Sequence, residues 1–146
     1  MNRRNTIKQS GLLAVTTLAA SSISSKSMGS SSSNGAHLFG EIIDSTADCI
    51  KKAKICRQHC IESLSTGSTM MAECMEAVSD MLVACRAMTD FASQKSSYTK
   101  DFAKLCIEAC HKCADACKPH RSHHDECREC YAACLKCIKA CNRILN

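Results

Sequence analysis

Tryptophan is absent from this 146-residue sequence, and three Phe and two Tyr are too few for a conventional aromatic core. One proline and five glycines leave little to interrupt a regular backbone. With abundant Ala, Lys, Glu, Met and Leu, that scarcity favours a single all-helical domain. Long apolar runs are missing too. The stretch from Gly11 to Ala20 is half the roughly 20 residues that a membrane-spanning helix needs, so no membrane anchor is expected. A strong charge of one sign is also lacking. Arg3, Arg4, Lys8 and Lys26 precede Met28 with no acid beside them; the rest carries fifteen basic residues against fourteen acidic, a net +1. So neutral a surface makes no electrostatic case for nucleic acid.

What the chain has is cysteine, fourteen in all. The N-terminal stretch "MNRRNTIKQSGLLAVTTLAASSISS" has the form of an export signal, with basic residues ahead of a short apolar run and then small residues. Its "RRNTIK" resembles the twin-arginine export motif, departing from it at Asn2 and Thr6. The expected organisation is an export signal with the start of a spacer over 1–27, a Ser-rich flexible segment over 28–37, and a helical bundle over 38–146. The expected location is periplasmic.

Turn clusters at 65–69, 93–99 and 118–122 divide the bundle into helices near 38–64, 69–93, 99–118 and 122–144. Gly67 suits a helix C-terminus, Ser68 or Thr69 an N-cap, and Ser122 with Asp125 an approximate capping box. Short connections between long helices predict an antiparallel up-down-up-down four-helix bundle, an all-α fold with a cysteine-lined core. The cysteines fall at 49, 56 and 60 in the first helix and at 74 and 85 in the second. They fall at 106, 110, 113 and 117 in the third, and at 127, 130, 134, 137 and 141 in the fourth. Intervals of 3, 4, 7 and 11 keep each set on one stripe of its helix. Met70, Met81 and Met88 join the stripe of the second helix. Charged residues such as Lys52, Asp80, Lys112 and Glu129 fall mostly off it, so the stripe is the buried seam.

Protonated cysteine packs as a small hydrophobe, but Leu or Ile would bury more area at these positions. A disulfide scaffold suits export and an even thiol count. Thiols crowded at i, i+3 and i+4 on one helix, however, make poor disulfides that cross-link nothing beyond a turn. Zinc wants four ligands converging on one point, whereas the thiols repeat along about 20 Å of each helix. Full zinc loading would take at most about three ions and leave a core near −8, which burial makes very costly. Cu(I) shared between bridging thiolates equalises ion and thiolate numbers, and thiolate and thioether are the soft ligands that select it. The five CxxxC pairs are Cys56/Cys60, Cys106/Cys110, Cys113/Cys117, Cys130/Cys134 and Cys137/Cys141. Each can hold a two-coordinate ion by rotamer choice. Iron–sulfur clusters fit less well, because their loop spacings closed by proline do not occur.

"CIEACHKCADAC" (CxxxCxxCxxxC) and the CxxCxxxCxxCxxxC run from Cys127, following an export signal within a four-helix pattern, resemble the bacterial copper storage proteins, specifically their exported branch. The resemblance implies a homotetramer that binds many Cu(I) ions through essentially all fourteen cysteines inside a preformed bundle. It also implies that copper is held for copper-dependent enzymes. Copper chaperones or recipient enzymes are the implied partners. His59 and Met71 are the best positional matches to the ligands at one mouth of the family's bundle.

The end that joins the first helix to the second and the third to the fourth gathers His59, Met70, Met71, Met75, His120, His123 and His124. The opposite end gathers Leu38, Phe39, Ile42, Phe91, Phe102, Leu105, Ile144 and Leu145. Cu(I) is therefore expected to pass the His and Met end, with the other an apolar plug. Of the mouth residues, only His59 and Met71 are counted as candidate ligands. An enzyme is not expected: a catalytic thiol needs an activating base at an accessible site, and fourteen buried thiols speak for capacity. The alternatives are an exported disulfide-stabilised helical scaffold, or a zinc or thiol buffer.

Overall fold

The computed structural model describes residues 31–146, so the expected export signal lies outside the described residues. Four helices follow one another: α1 (Ser31–Ser65), α2 (Ala72–Ser93), α3 (Thr99–Cys117) and α4 (Asp125–Leu145). The path of α1 begins at Ser31, not near 38, and takes in part of the Ser-rich segment. Once a helix is nucleated each added residue gains one hydrogen bond, and the stretch contains no proline to stop it.

Gly67, with φ of +88°, ends α1 as expected. Its N–H donates to Leu64 O at 3.0 Å and that of Ser68 to Ser63 O at 3.3 Å, the paired bonds of a Schellman turn. The same turn closes α2 without glycine. Lys95 takes φ of +49°, while Ser96 N donates to Phe91 O and Lys95 N to Ala92 O, each at 3.0 Å. Pro119 follows directly on the last residue of α3 and its flanking Lys118. The helix starts differ from expectation. Met71 and His124 stand at the N-caps of α2 and α4, and neither makes a side-chain capping bond. Ser68, Thr69 and Ser122 therefore do not cap these helices.

Connections of a few residues force consecutive helices to run antiparallel. α1 packs on α2 and α4, α3 packs on the same two, and the diagonal pairs meet only through side chains that reach the centre. The result is the predicted up-down-up-down square. Its centre is built of sulfur and small side chains. All fourteen cysteines are fully buried, interleaved with Ala53, Ala77, Ala103, Ala114 and Ala133. Ile42, Val78, Leu82 and Ile138 are the few larger aliphatic core residues. Alanine beside cysteine lets the helices come close enough for thiols on different helices to touch.

Ion pairs link neighbouring helices on the outside: Lys52 with Glu129 and Arg143 with Glu41 across α1 and α4, and Lys112 with Asp80 and Glu76 across α3 and α2. Exposed pairs of this kind add little stability.

Candidate metal centre

The four stripes do not face one another as continuous ladders; they meet at distinct levels. Cys49, Cys85, Cys110 and Cys137 bring their Sγ atoms within 4.8 Å of one another, and so do Cys56, Cys74, Cys117 and Cys127. Each tetrad draws one thiol from every helix. Two triads, Cys106/Cys137/Cys141 and Cys113/Cys117/Cys130, share Cys137 and Cys117 with the tetrads. Twelve of the fourteen cysteines thus belong to linked groups. Cys134 approaches Cys49 at 3.9 Å, and Cys60 lies a turn beyond Cys56, toward the α1–α2 connection.

Every thiol is free. Hydrogen-bonded Sγ pairs across helices stand 3.5 to 4.0 Å apart, far from the roughly 2.05 Å of a disulfide. The separations suit thiols bridged by metal.

The electrostatics follow from sulfur beside sulfur. Hydrogen bonds from neighbouring thiols, Cys110 first, hold the Cys49 thiol down at about 6. Cys56 and Cys74 hold Cys60 at about 4, and Cys110 holds Cys106 at about 5. Thiols hydrogen-bonded in the opposite sense are pushed up: Cys56 by Cys117, Cys85 and Cys110 by Cys106, and Cys117 by Cys113, with burial adding to each. One thiol keeps its proton by donating it to the next. The whole core cannot ionise together without cations to neutralise it.

Methionine enters this network where the sequence marked only a core position. Met81 Sδ accepts thiol hydrogen bonds from Cys49 and Cys85, both at 3.5 Å. Its spacing of four from Cys85 was the legible signal; the approach of Cys49 from α1 was not. Met71 is 2 % exposed and Met75 packs partly buried against the core, but Met70 is 72 % exposed and leaves the stripe. Met70 precedes the first turn of α2, so helical periodicity does not govern its direction.

At the same end three imidazoles gather. The His59 ring lies 4.7 Å from that of His124, and His124 lies 6.4 Å from His120. His59 Nδ1 is 3.9 Å from Glu126 Oε2, and its Nε2 is buried without a hydrogen-bond partner. A surface cavity of about 370 Å³ borders this pair, lined also by Lys54, Ile55, Gln58 and Glu62. Glu126 is a neighbour that sequence spacing did not reveal, because it comes from α4. His123 is exposed, as are His111 and His37. The candidate ligands His59 and Met71 both lie at the end of the bundle that carries the α1–α2 and α3–α4 connections.

The opposite end is closed by Ile42, fully buried, with Phe39, Phe102, Ile144 and Leu145 packed against the core. Phe91 stacks on Phe102 with ring centroids 3.9 Å apart. Leu105 is 52 % exposed and takes no part in the plug, because it points out between the buried positions Ala103 and Cys106. Beneath the plug the fully buried Thr46 shares a 2.7 Å hydroxyl hydrogen bond with Thr89, and whichever hydroxyl accepts in that bond donates its own proton to a carbonyl of its helix, Ile42 O for Thr46 or Cys85 O for Thr89.

Residues 36–146 match the family described as copper storage protein. No curated protein matches the chain in sequence. Among solved structures, the chain is similar to a cytosolic copper storage protein from Streptomyces lividans carrying five coppers. Identity is 23 % and the TM-score 0.71, over 77 % of this chain and 96 % of that one. It is also similar to the Cu(I)-bound copper storage protein BsCsp3, at 23 % identity and a TM-score of 0.67, over 75 % of this chain and 99 % of that one. A second Streptomyces lividans structure, loaded with 10 copper equivalents, aligns at 24 % identity with a TM-score of 0.68, over 75 % of this chain and 84 % of that one. These likenesses share the four-helix fold.

Proposed function

The chain belongs to the copper storage protein family, and we propose that it holds Cu(I) on its fourteen cysteines in reserve for copper-dependent enzymes. The protein is a store and not a catalyst: its cysteine clusters are positioned to coordinate several Cu(I) ions inside the helical core. The observation that carries this reading is the burial of every thiol on the inner side of a square bundle, within reach of thiols from neighbouring helices. Soft ligands in that number select a soft monovalent ion, whose charge matches one thiolate each.

His59 and Met71 act as further ligands at the mouth. Copper enters there, past imidazole and thioether, while the apolar plug keeps the other end dry. The twin-arginine-like "RRNTIK" supports export to the periplasm by a route that carries folded proteins. A homotetramer, with a copper chaperone or copper enzyme as recipient, completes the reading.

An anaerobic Cu(I) titration of the reduced protein against a chromophoric chelator tests it, with free thiols counted in parallel. About one Cu(I) retained per cysteine, with circular dichroism unchanged, is the expected result. Few free thiols on isolation and no copper retained after full reduction would replace the store with a disulfide scaffold.

A further inference from the structure

Cys56, Cys74, Cys117 and Cys127 form a four-sided sulfur cage, one thiol from each helix. The separations from Cys56 are 3.9 Å to Cys74, 4.0 Å to Cys117 and 3.9 Å to Cys127, and Cys74 to Cys117 is 3.5 Å. The remaining pairs lie within 4.8 Å. A tetrahedral zinc tetrathiolate, with bonds of about 2.3 Å, has sulfur–sulfur edges of about 3.8 Å. Four of the six edges of the cage already lie near that length before any metal enters, and the other two within 4.8 Å.

We infer that this tetrad is a specific site for one divalent d¹⁰ ion, Zn(II) or Cd(II), taken up when the bundle holds no Cu(I). The inference rests, like the storage reading, on inward-facing thiols, but it adds a different metal and a fixed coordination number. The ion displaces four thiol protons to solvent and leaves a local charge of about −2. The other ten thiols take no divalent ion, so the prohibitive charge of full zinc loading does not arise. Cys74 and Cys127 are each the third residue of their helix, beside backbone N–H groups that have no partner within the helix. Zinc at this level ties all four helices together beside the mouth, where arriving Cu(I) meets it first and displaces it.

The second tetrad, Cys49/Cys85/Cys110/Cys137, is the poorer site. Met81 Sδ lies against both Cys49 and Cys85 and occupies that side of the cage. It also lies deeper, with the mouth-side tetrad between it and solvent.

The test is an anaerobic titration of the reduced, copper-free full chain with Co(II), followed by a Zn(II) chase. One equivalent of cobalt is expected to give the ligand-field spectrum of a tetrahedral tetrathiolate, which stoichiometric zinc erases. Cys74→Ser and Cys127→Ser, each checked for helicity by circular dichroism, are expected to weaken cobalt binding by more than about 100-fold, beyond the loss typical of an outer-shell change. Cys60→Ser and Cys85→Ser are expected to leave it within a few-fold of the parent. Absence of the tetrathiolate spectrum, or an equal loss in Cys85→Ser, overturns the assignment. Cu(I) capacity is measured on the same preparations. Intact copper uptake without the cobalt spectrum removes the divalent site alone, whereas loss of both removes the storage reading as well.

Discussion

Serine in place of Cys137 is expected to lower Cu(I) capacity by about two ions, and serine in place of Cys141 by about one. The difference comes from connectivity. Cys137 belongs to both the deep tetrad and the Cys106/Cys137/Cys141 triad, whereas Cys141 belongs to the triad alone. A thiolate that bridges two groups takes a ligand from an ion in each when it is removed. Both positions are fully buried on α4, so the fold must tolerate a hydroxyl among sulfurs. A buried hydroxyl without a good partner costs about 1–3 kcal/mol, and a bond to the carbonyl four residues back reduces that cost. Against a typical stability of about 5–15 kcal/mol, both variants stay folded. The assay is the anaerobic chelator competition run in parallel on parent and variants, with circular dichroism confirming helix content. Equal losses from the two variants would refute the idea that sharing between groups sets capacity. Unchanged capacity in both would refute cysteine coordination at this end of the bundle.

Met81→Leu nearly conserves volume and is expected to change unfolding free energy by less than about 1.5 kcal/mol, while Met81→Ala costs about 2–5 kcal/mol through the cavity it leaves; urea denaturation of the two variants checks the contrast. Thr46→Val removes the buried hydroxyl that bonds Thr89 and is expected to cost about 1 kcal/mol. That loss appears as a lower melting temperature with Cu(I) capacity unaltered, since no thiol is touched. His59→Ala is expected to slow Cu(I) uptake several-fold in stopped flow while total capacity falls by at most about one ion, because one ligand at the mouth is lost and the sulfur core is not. Phe102→Ala, at the plug, serves as its comparison: an equal slowing there would show that copper does not favour the His and Met end.

The helix class, the three turns, the burial of all fourteen cysteines and the sense of the two ends were legible from the sequence, because each depends on local rules. Periods of 3 and 4 place thiols on one face whatever the face meets, and Gly67 ends α1 by its own backbone freedom. The helix starts were less legible. Ser68, Thr69 and Ser122 have capping chemistry, yet Met71 and His124 hold the N-cap positions, since packing sets where each helix begins. Met70 and Leu105 show the limit of periodicity at the margins. One precedes its helix and the other lies between buried positions, and both are exposed.

By itself the sequence determined how many soft ligands there are, which face of each helix carries them, and that the chain returns on itself three times. Only the tertiary structure decided which thiol meets which. Spacing along a helix fixes an angle about its axis, but the level at which a residue meets its neighbours depends on how far four helices slide past one another. That register makes a tetrad from Cys56, Cys74, Cys117 and Cys127, sets Met81 between Cys49 and Cys85, and brings Glu126 to His59. Loop geometry and alanine-mediated close packing set the slide, and neither can be read from the period of the cysteines.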